Sequence, residues 1–202
     1  MSLPTLAAPA VVLRPVTDDD VDAVFALFGD ADRLRFWGHA PLASRAEAEV
    51  YVEGIRQGAT TGTLLQWAVC ASGDGPVDEE APLPVQPRHG GEAAGARPLL
   101  GTCTLAGIDR SHRRAELGVA LLPEAMGRGL ATAAARTAIA YAFEELGLHR
   151  ITADADPRNA PALALLERLG FRREGVLREH YRHGEEWQDG VLFGLLRTEA
   201  AP

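Results

Sequence analysis

Apolar residues along this chain recur at two spacings, every second position in some stretches and every third or fourth in others, and the alternation predicts a mixed α/β fold. Positions 11–15 (Val-Val-Leu-Arg-Pro) read as an opening strand. Thr17 followed by Asp18, Asp19 and Asp20 has the form of a helix start, a capping hydroxyl with acids near the positive end of the dipole. Val21, Val24, Phe25 and Phe28 then follow at helical spacing up to Gly29. Phe36 to Pro41 is a turn-rich aromatic loop, and Ser44-x-x-Glu47 is a capping box opening a second helix that runs towards Gly58. Strands are predicted at Leu64–Cys70, Leu99–Leu105 and Ala115–Leu122. An Ala-rich helix covers Gly129–Leu146, with Leu130, Ala134, Ala138, Ala142 and Phe143 on one face and Gly147 at its end. Arg150–Ala155 alternates as a strand, Asn159 caps a short helix to Leu169, and Gly170 stops it. Two final strands, around Gly175–Tyr181 and Gln188–Leu196, flank a turn at Gly184. The first half is thus rich in hairpins and the second is a βαβα unit.

Composition changes the picture in one place. Residues 72–97 hold many Gly, Pro and acidic residues and almost no large apolar ones, so the segment reads as a mobile loop inserted between two hairpin strands. The expected organisation is therefore one domain over 1–202 with this insertion. The formal charge of -8 argues against general nucleic-acid binding, which needs Lys and Arg to displace counterions, while local acids could attract a cationic substrate. Two cysteines, Cys70 and Cys103, give no disulfide framework and suit a reducing compartment. With no basic, apolar leader and no run near the ~20 residues of a membrane span, the expectation is a cytoplasmic protein without a membrane partner.

The chemistry concentrates at Glu-Ala-Met-Gly-Arg-Gly-Leu-Ala-Thr, residues 124–132, between a strand and a helix. Glycines at 127 and 129 let consecutive backbone N–H groups face one centre, and the helix N-terminus adds its own donors. The residues alone say that a phosphate-bearing cofactor binds here. A nucleoside-triphosphate loop needs Gly-Lys-Ser/Thr, and Arg128-Gly129 lacks the Lys. A dinucleotide fingerprint matches partly, with Gly127-x-Gly129-x-x-Thr132 and Asp154 roughly 20 residues on. Against it stand Thr at the third position, Pro123 and Glu124 between strand and glycine, and no long βα series afterwards. The plainest alternative is a Gly-rich turn that only starts a helix.

The segment closely resembles the Arg/Gln-x-x-Gly-x-Gly/Ala signature of GNAT acetyltransferases. Further stretches resemble the branch that acetylates ribosomal-protein N-termini and related amines: Leu13-Arg14-Pro15 with Asp19 or Asp20, Phe36-Trp37-Gly38-His39, Ala115 to Leu121, Asp156-Pro157-Arg158-Asn159 with Leu166 to Phe171, and Trp187-x-Asp189 with Leu192 to Leu196. They occur in the family's order and cover nearly the whole chain outside 72–97. The resemblance implies an α/β fold whose mixed sheet opens between its fourth and fifth strands, here 115–122 and 150–155, with a bulge in the fourth. It implies acetyl-CoA as donor. The pantetheine arm would bond the backbone of Leu117 to Leu122, including Val119 and Leu121. The diphosphate would sit on Met126, Gly127, Arg128, Gly129, Leu130 and Ala131, with Thr132 alongside. Asn159 would lie near the pantetheine. A neutral primary amine would attack the thioester directly, in a ternary complex, after losing a proton to a base.

Glu116 is the candidate base, because it precedes the expected bulge. It could equally be a solvent-facing strand residue or an ion-pair partner of Arg113 or Arg114. Glu124 stands where relatives carry Arg or Gln, which weakens a phosphate contact there. Relatives often place Ser three residues after the Asn, or Tyr seven after, to protonate the leaving thiolate. Here those positions are Ala162 and Leu166, so water or Tyr181 would have to serve. Thiolates leave tolerably near neutral pH, with a free pKa of about 8.5. Trp37, His39, His180, Tyr181 and Trp187 are candidates for the acceptor pocket, against packing for the tryptophans and surface polarity for the histidines. His180-Tyr-Arg-His183 lacks companion ligands, so no metal is expected. Cys103, among Leu99, Leu100 and Leu105, reads as a buried structural thiol. The acceptor would be a protein N-terminus or a small amine, and the enzyme a monomer or homodimer. A non-catalytic acyl-CoA-binding module, or more distantly an NAD(P)-dependent oxidoreductase, are the alternatives.

Overall fold

The computed structural model describes residues 3–38, 40–72, 86–88 and 97–200, which include nine strands in one sheet. In chain order they are β1 (Thr5–Ala7), β2 (Val11–Pro15), β3 (Leu65–Ala71), β4 (Gln86–Arg88), β5 (Gly101–Asp109), β6 (Arg114–Leu121), β7 (Arg150–Ala155), β8 (Arg172–His183) and β9 (Glu186–Leu196). The helices are α1 (Val21–Phe28), α2 (Arg45–Thr61), α3 (Leu130–Glu144) and α4 (Ala160–Arg168). Across the sheet the order is β4-β1-β2-β3-β5-β6-β7-β9-β8. All neighbours are antiparallel except β6 and β7.

Two cores follow from the alternation of side chains across the strands. On one face Leu13, Trp67, Val69, Cys103 and Leu117 meet the Ala-rich side of α3, and Trp67 stacks edge-on against Tyr141 with ring centroids 5.6 Å apart. On the other face Ala68, Cys70, Ala120 and Leu122 meet Val24, Phe28, Val52 and Ile55 from α1 and α2. A strand covered on both faces reads as a continuous apolar run, which is why β3 carries no charged residue.

The ends of the helices follow the sequence with two differences. Ser44 caps α2 by accepting from the Glu47 amide, and Asn159 caps α4 by accepting from the Ala162 amide. Helix α2 runs past Gly58 to Thr61 and closes on Gly62, whose φ of 74° is the left-handed cap. Asp18–Asp20 forms a 3-10 turn before α1, and Asp20 is buried rather than facing the dipole in solvent. Its carboxylate holds the Arg14 guanidinium at 2.6 and 2.7 Å, so the sequence pair Arg14 with Asp19 or Asp20 resolves to Asp20.

Strands β1 and β4 have no counterpart in the sequence prediction. β1 is three residues long and pairs with β2 on one side and with β4 on the other. β4 falls inside the 72–97 segment, most of which lies outside the described residues. The flanking strands β3 and β5 do pair, Leu65 opposite Leu105, as the hairpin reading expects. Both ends of the segment are clamped by one residue. Arg97 donates to the carbonyls of Ala71 and Ser72, and its own carbonyl accepts from Arg14. No helix among the described residues is long and apolar enough to cross a membrane.

Candidate active site

Strands β6 and β7 pair only over Arg114–Glu116 and Arg150–Thr152. Beyond Glu116 the two strands part: β6 stays with β5 up to Leu121, and β7 stays with β9 up to Ala155. The backbone edge of β6 from Leu117 to Leu121 that would have continued the ladder therefore faces open space. The irregularity expected in β6 lies instead in β5. There Gly107 and Ile108 stand opposite Ala115 alone, with Gly107 at a φ of 56°, while the β5–β6 register is unbroken from Glu116 to Leu121. The site opens because β6 and β7 diverge, not because β6 bulges.

A cleft of about 420 Å³ fills the divergence. Leu117, Gly118 and Val119 form one wall and Ala153, Asp154 and Ala155 the other, with α4 contributing Ala162, Leu165 and Leu166. Asn159, Trp37 and Tyr181 line it too, as does Glu116 at the fork. Besides lining the cleft, Trp37 packs its ring edge-on against Phe28 in the second core, centroids 6.0 Å apart. Leu121 packs against the α3-side core, and Leu122 is buried in the α1/α2 core, so any part they take in ligand binding is through their backbone.

At the cleft's outer end the chain turns through Pro123–Ala125 into the glycine loop. Gly127 and Gly129 adopt φ values of 70° and 72°, the left-handed region that favours glycine, and Gly129 is the N-cap of α3. A Cβ at Gly127 would meet nothing within 4 Å. The space in front of the loop is open, Met126 is 53% exposed, and Arg128 is exposed beside it. Positive-φ glycines, an uncovered helix N-terminus and the unpaired edge of β6 form one continuous strip, which fits a diphosphate joined to an extended polar arm. Leu130 and Thr132 are buried and offer backbone, not side chain.

Polar groups converge at the inner end. The Tyr181 hydroxyl donates to Asp154 Oδ2 at 2.6 Å. Glu116 keeps solvent contact, yet its partial desolvation, with the nearby charge of Asp154 adding to it, pushes its carboxyl above the usual range; His180 opposes the shift. Neither arginine offered as an ion-pair partner reaches it. Arg113 donates to the Gly147 carbonyl, and Arg114 lies 3.7 Å from Asp109. Burial pushes the Tyr181 phenol well above its ordinary value, and the bond to Asp154 and the charges of Asp154 and Glu116 push it further. Asp154 entered the sequence reading only as the acid of the partial dinucleotide fingerprint, and its place in this cleft was not foreseen. On β7 it alternates with Arg150 and Thr152 on the less buried face, which by itself does not single it out.

The remaining candidates are placed less centrally. His180 is exposed and stacks edge-on against Tyr181, ring centroids 4.3 Å apart, at the rim of the cleft. Trp187 is 60% exposed and lies outside the cleft lining. His39 lies outside the described residues. Among the described residues no cluster of His, Cys, Asp and Glu could hold a metal. Complete burial pushes the Cys103 thiol up to about 12, so it is a packing residue and not a nucleophile.

Residues 10–172 match the acetyltransferase (GNAT) domain family. The chain belongs to the GNAT acetyltransferase family. It is 30% identical over 189 residues to YoaA of Bacillus subtilis, which is named as an uncharacterized N-acetyltransferase, with 93% of this chain and 94% of that one covered. It is 39% identical over 101 residues to YdaF of the same organism, provisionally named a ribosomal N-acetyltransferase, covering 50% and 55%. Among solved structures, the spermidine N-acetyltransferase of Vibrio cholerae in complex with CoA and spermine superposes with a TM-score of 0.75 at 23% identity, covering 94% and 96%. The mixed sheet opening between β6 and β7 is thus the GNAT fold, and the protein is an acetyl-CoA-dependent N-acetyltransferase.

Proposed function

We propose that this GNAT enzyme transfers an acetyl group to a primary amine that enters the cleft beside Glu116. The observation that carries this reading is the meeting of Glu116, Asp154 and Tyr181 where β6 and β7 part. In this reading the β6 backbone edge from Leu117 to Leu122 orients the pantetheine arm, with Asn159 nearby. The Met126–Ala131 loop holds the diphosphate. When bound, acetyl-CoA supplies a thioester whose carbonyl carbon moves from sulfur to the amine nitrogen.

The chain's residues then have two tasks. The acceptor arrives mostly as an ammonium ion, and the carboxylates of Glu116 and Asp154 attract that charge. Glu116 takes the proton that the nitrogen must lose before it can attack, and its raised pKa brings it closer to working pH as a base. Tyr181 has its proton engaged with Asp154, so its hydroxyl orders Asp154 and is poorly placed to protonate the departing sulfur. A leaving group with a free pKa near 8.5 can depart as the thiolate. This accommodates Ala162 and Leu166 at the positions where relatives carry hydroxyls.

Two acceptor classes suit the site, a protein N-terminus and a small polyamine or similar amine; both present a cation, and the relatives include one named a ribosomal N-acetyltransferase and one named a spermidine N-acetyltransferase. The deciding experiment is calorimetric titration with acetyl-CoA, with NADH and ATP as controls, followed by a turnover screen over N-terminal peptides and polyamines. Saturable binding of acetyl-CoA alone, with turnover of at least one amine, is expected. Binding without turnover of any amine would favour a non-catalytic acyl-CoA module.

A further inference from the structure

In Trp187-Gln188-Asp189 the tryptophan lies outside the cleft lining, yet the other two side chains reach to opposite walls of the acceptor end of the cleft. Between the pairs Leu177–Gly190 and Tyr181–Gln188, β8 has three residues where β9 has only one, Asp189. The extra residues form a bulge. Inside it Glu179 sits at a φ of 52°, a left-handed conformation that a side chain makes costly. Asp189 Oδ1 accepts from the Glu179 amide at 2.8 Å, across the bulge. Two residues beyond Glu179, Tyr181 turns in to line the cleft and bonds Asp154. The other wall is the loop carrying Trp37 and Gly38. Gln188, buried, donates from Nε2 to the Arg35 carbonyl at 3.0 Å. The two walls touch at Gly38, where a Cβ would lie 2.2 Å from the Tyr181 ring.

We propose that Asp189 is a positioning residue: by anchoring the Glu179 amide it fixes the β8 bulge that holds Tyr181 between Gly38 and Asp154, and so shapes the acceptor end of the cleft. The adjacent Gln188 pins the opposing loop, so one dipeptide on β9 sets both walls. The effect on turnover rests on the reading that the acceptor enters beside Glu116; the structural part does not.

The test compares Asp189→Ala, which removes the acceptor atom, with Asp189→Asn, which keeps a carbonyl oxygen for the Glu179 amide. A third variant, Glu179→Gly in the Asp189→Ala background, lets the bulge form without its anchor, because glycine adopts positive φ freely. Two readouts are taken on the whole protein. Spectroscopic titration of the Tyr181 phenol, assigned against Tyr181→Phe, reports its bond to Asp154 without any need for activity. The groups facing that phenol are Asp154 on β7, Glu116 on β6 and His180 beside it, so losing its place should lower its titration towards the ordinary range. Kinetics with a turned-over amine give the second readout, with acetyl-CoA affinity as the control. Asp189→Ala should lower the Tyr181 titration and cut acceptor kcat/KM at least about tenfold, with acetyl-CoA affinity unchanged. Asp189→Asn should stay within a few-fold of wild type, and the glycine double variant should recover most of the loss. An unchanged Tyr181 titration in Asp189→Ala overturns the proposal, as does an Asp189→Asn as impaired as the alanine. If no amine is acetylated even by wild type, the functional reading fails, and the Tyr181 titration still decides the brace.

Discussion

Glu116 shows how one side chain acquires its chemistry from where two strands separate. Its neighbours Ala115 and Leu117 are buried on the other side of the strand, and its own carboxyl stands at the fork with Asp154 for company. Partial desolvation first, and then the Asp154 charge, disfavour its ionised form. The acid limb of the rate profile should therefore rise at a pH above the usual carboxylate range. Glu116→Gln removes the proton acceptor and keeps the shape. Turnover near neutral pH should fall by roughly 10²-fold, with acetyl-CoA affinity little changed. The deficit should narrow as pH rises, since more of the amine then arrives neutral. A rate equal to wild type across the pH range would sink the base assignment. The residue-scale sequence reading reached Glu116 and Asn159 through motif position, but it met Asp154 only as part of a dinucleotide fingerprint and did not reach the bond from Tyr181. That contact joins residues 27 positions apart and depends on a bulge whose left-handed residue is Glu179, not glycine. A glycine there would have been visible in the sequence; a glutamate held by Asp189 is not.

Among elements, helix α3 with its preceding loop was the most legible. Its signals are local: two glycines, a run of alanines at core spacing, and Gly147 beyond its end. Helices α2 and α4 were legible for the same reason, through Ser44 and Asn159. The three-residue strands β1 and β4 were not, because three residues are too short to display an alternation. The bulge was assigned to the wrong strand, since only the pairing register reveals that Gly107 carries it. The loop before α3 supports a direct prediction. Gly129 has a φ of 72°, so valine there is strained as well as bulky. Gly129→Val should weaken acetyl-CoA binding at least about tenfold by calorimetry while leaving a folded protein by circular dichroism. Gly127→Ala is the informative companion. Its Cβ has free space around it, so any loss there reports backbone conformation or contact with the diphosphate and not a clash within the protein. Unchanged affinity in Gly129→Val would remove the diphosphate from this loop.

At the scale of the whole molecule, the far half of the sheet that carries the cleft contains a buried ion pair. Arg14 on β2 is 3% exposed and Asp20, in the turn before α1, 5%. The guanidinium bonds both carboxylate oxygens and the Arg97 carbonyl, and Arg97 in turn closes the ends of β3 and the inserted segment. Burial alone would raise the Asp20 pKa, but the hydrogen bonds from Arg14 and Thr17 outweigh it and hold the carboxyl below its ordinary value. A carboxylate depressed in the folded state adds stability that is complete above its unfolded pKa of about 3.9 and disappears as pH falls through the lower folded value. Arg14 is shifted upward and stays charged throughout, so it contributes no pH dependence in this range. Asp20→Asn leaves the Arg14 charge buried without its counterion, which costs about 3–5 kcal/mol, or roughly 10 °C in Tm for a chain of this size. Asp19→Asn is the control, because Asp19 is exposed and should shift Tm by little. Melting curves at neutral pH should show the full gap between Asp20→Asn and wild type. The gap should begin to narrow below about pH 4 and close as pH falls through the lower folded value, where folded wild type loses the same charge. A gap of equal size at every pH would mean that Asp20 acts through its shape alone, and no gap at neutral pH would mean that the pair does not hold the far half of the sheet together.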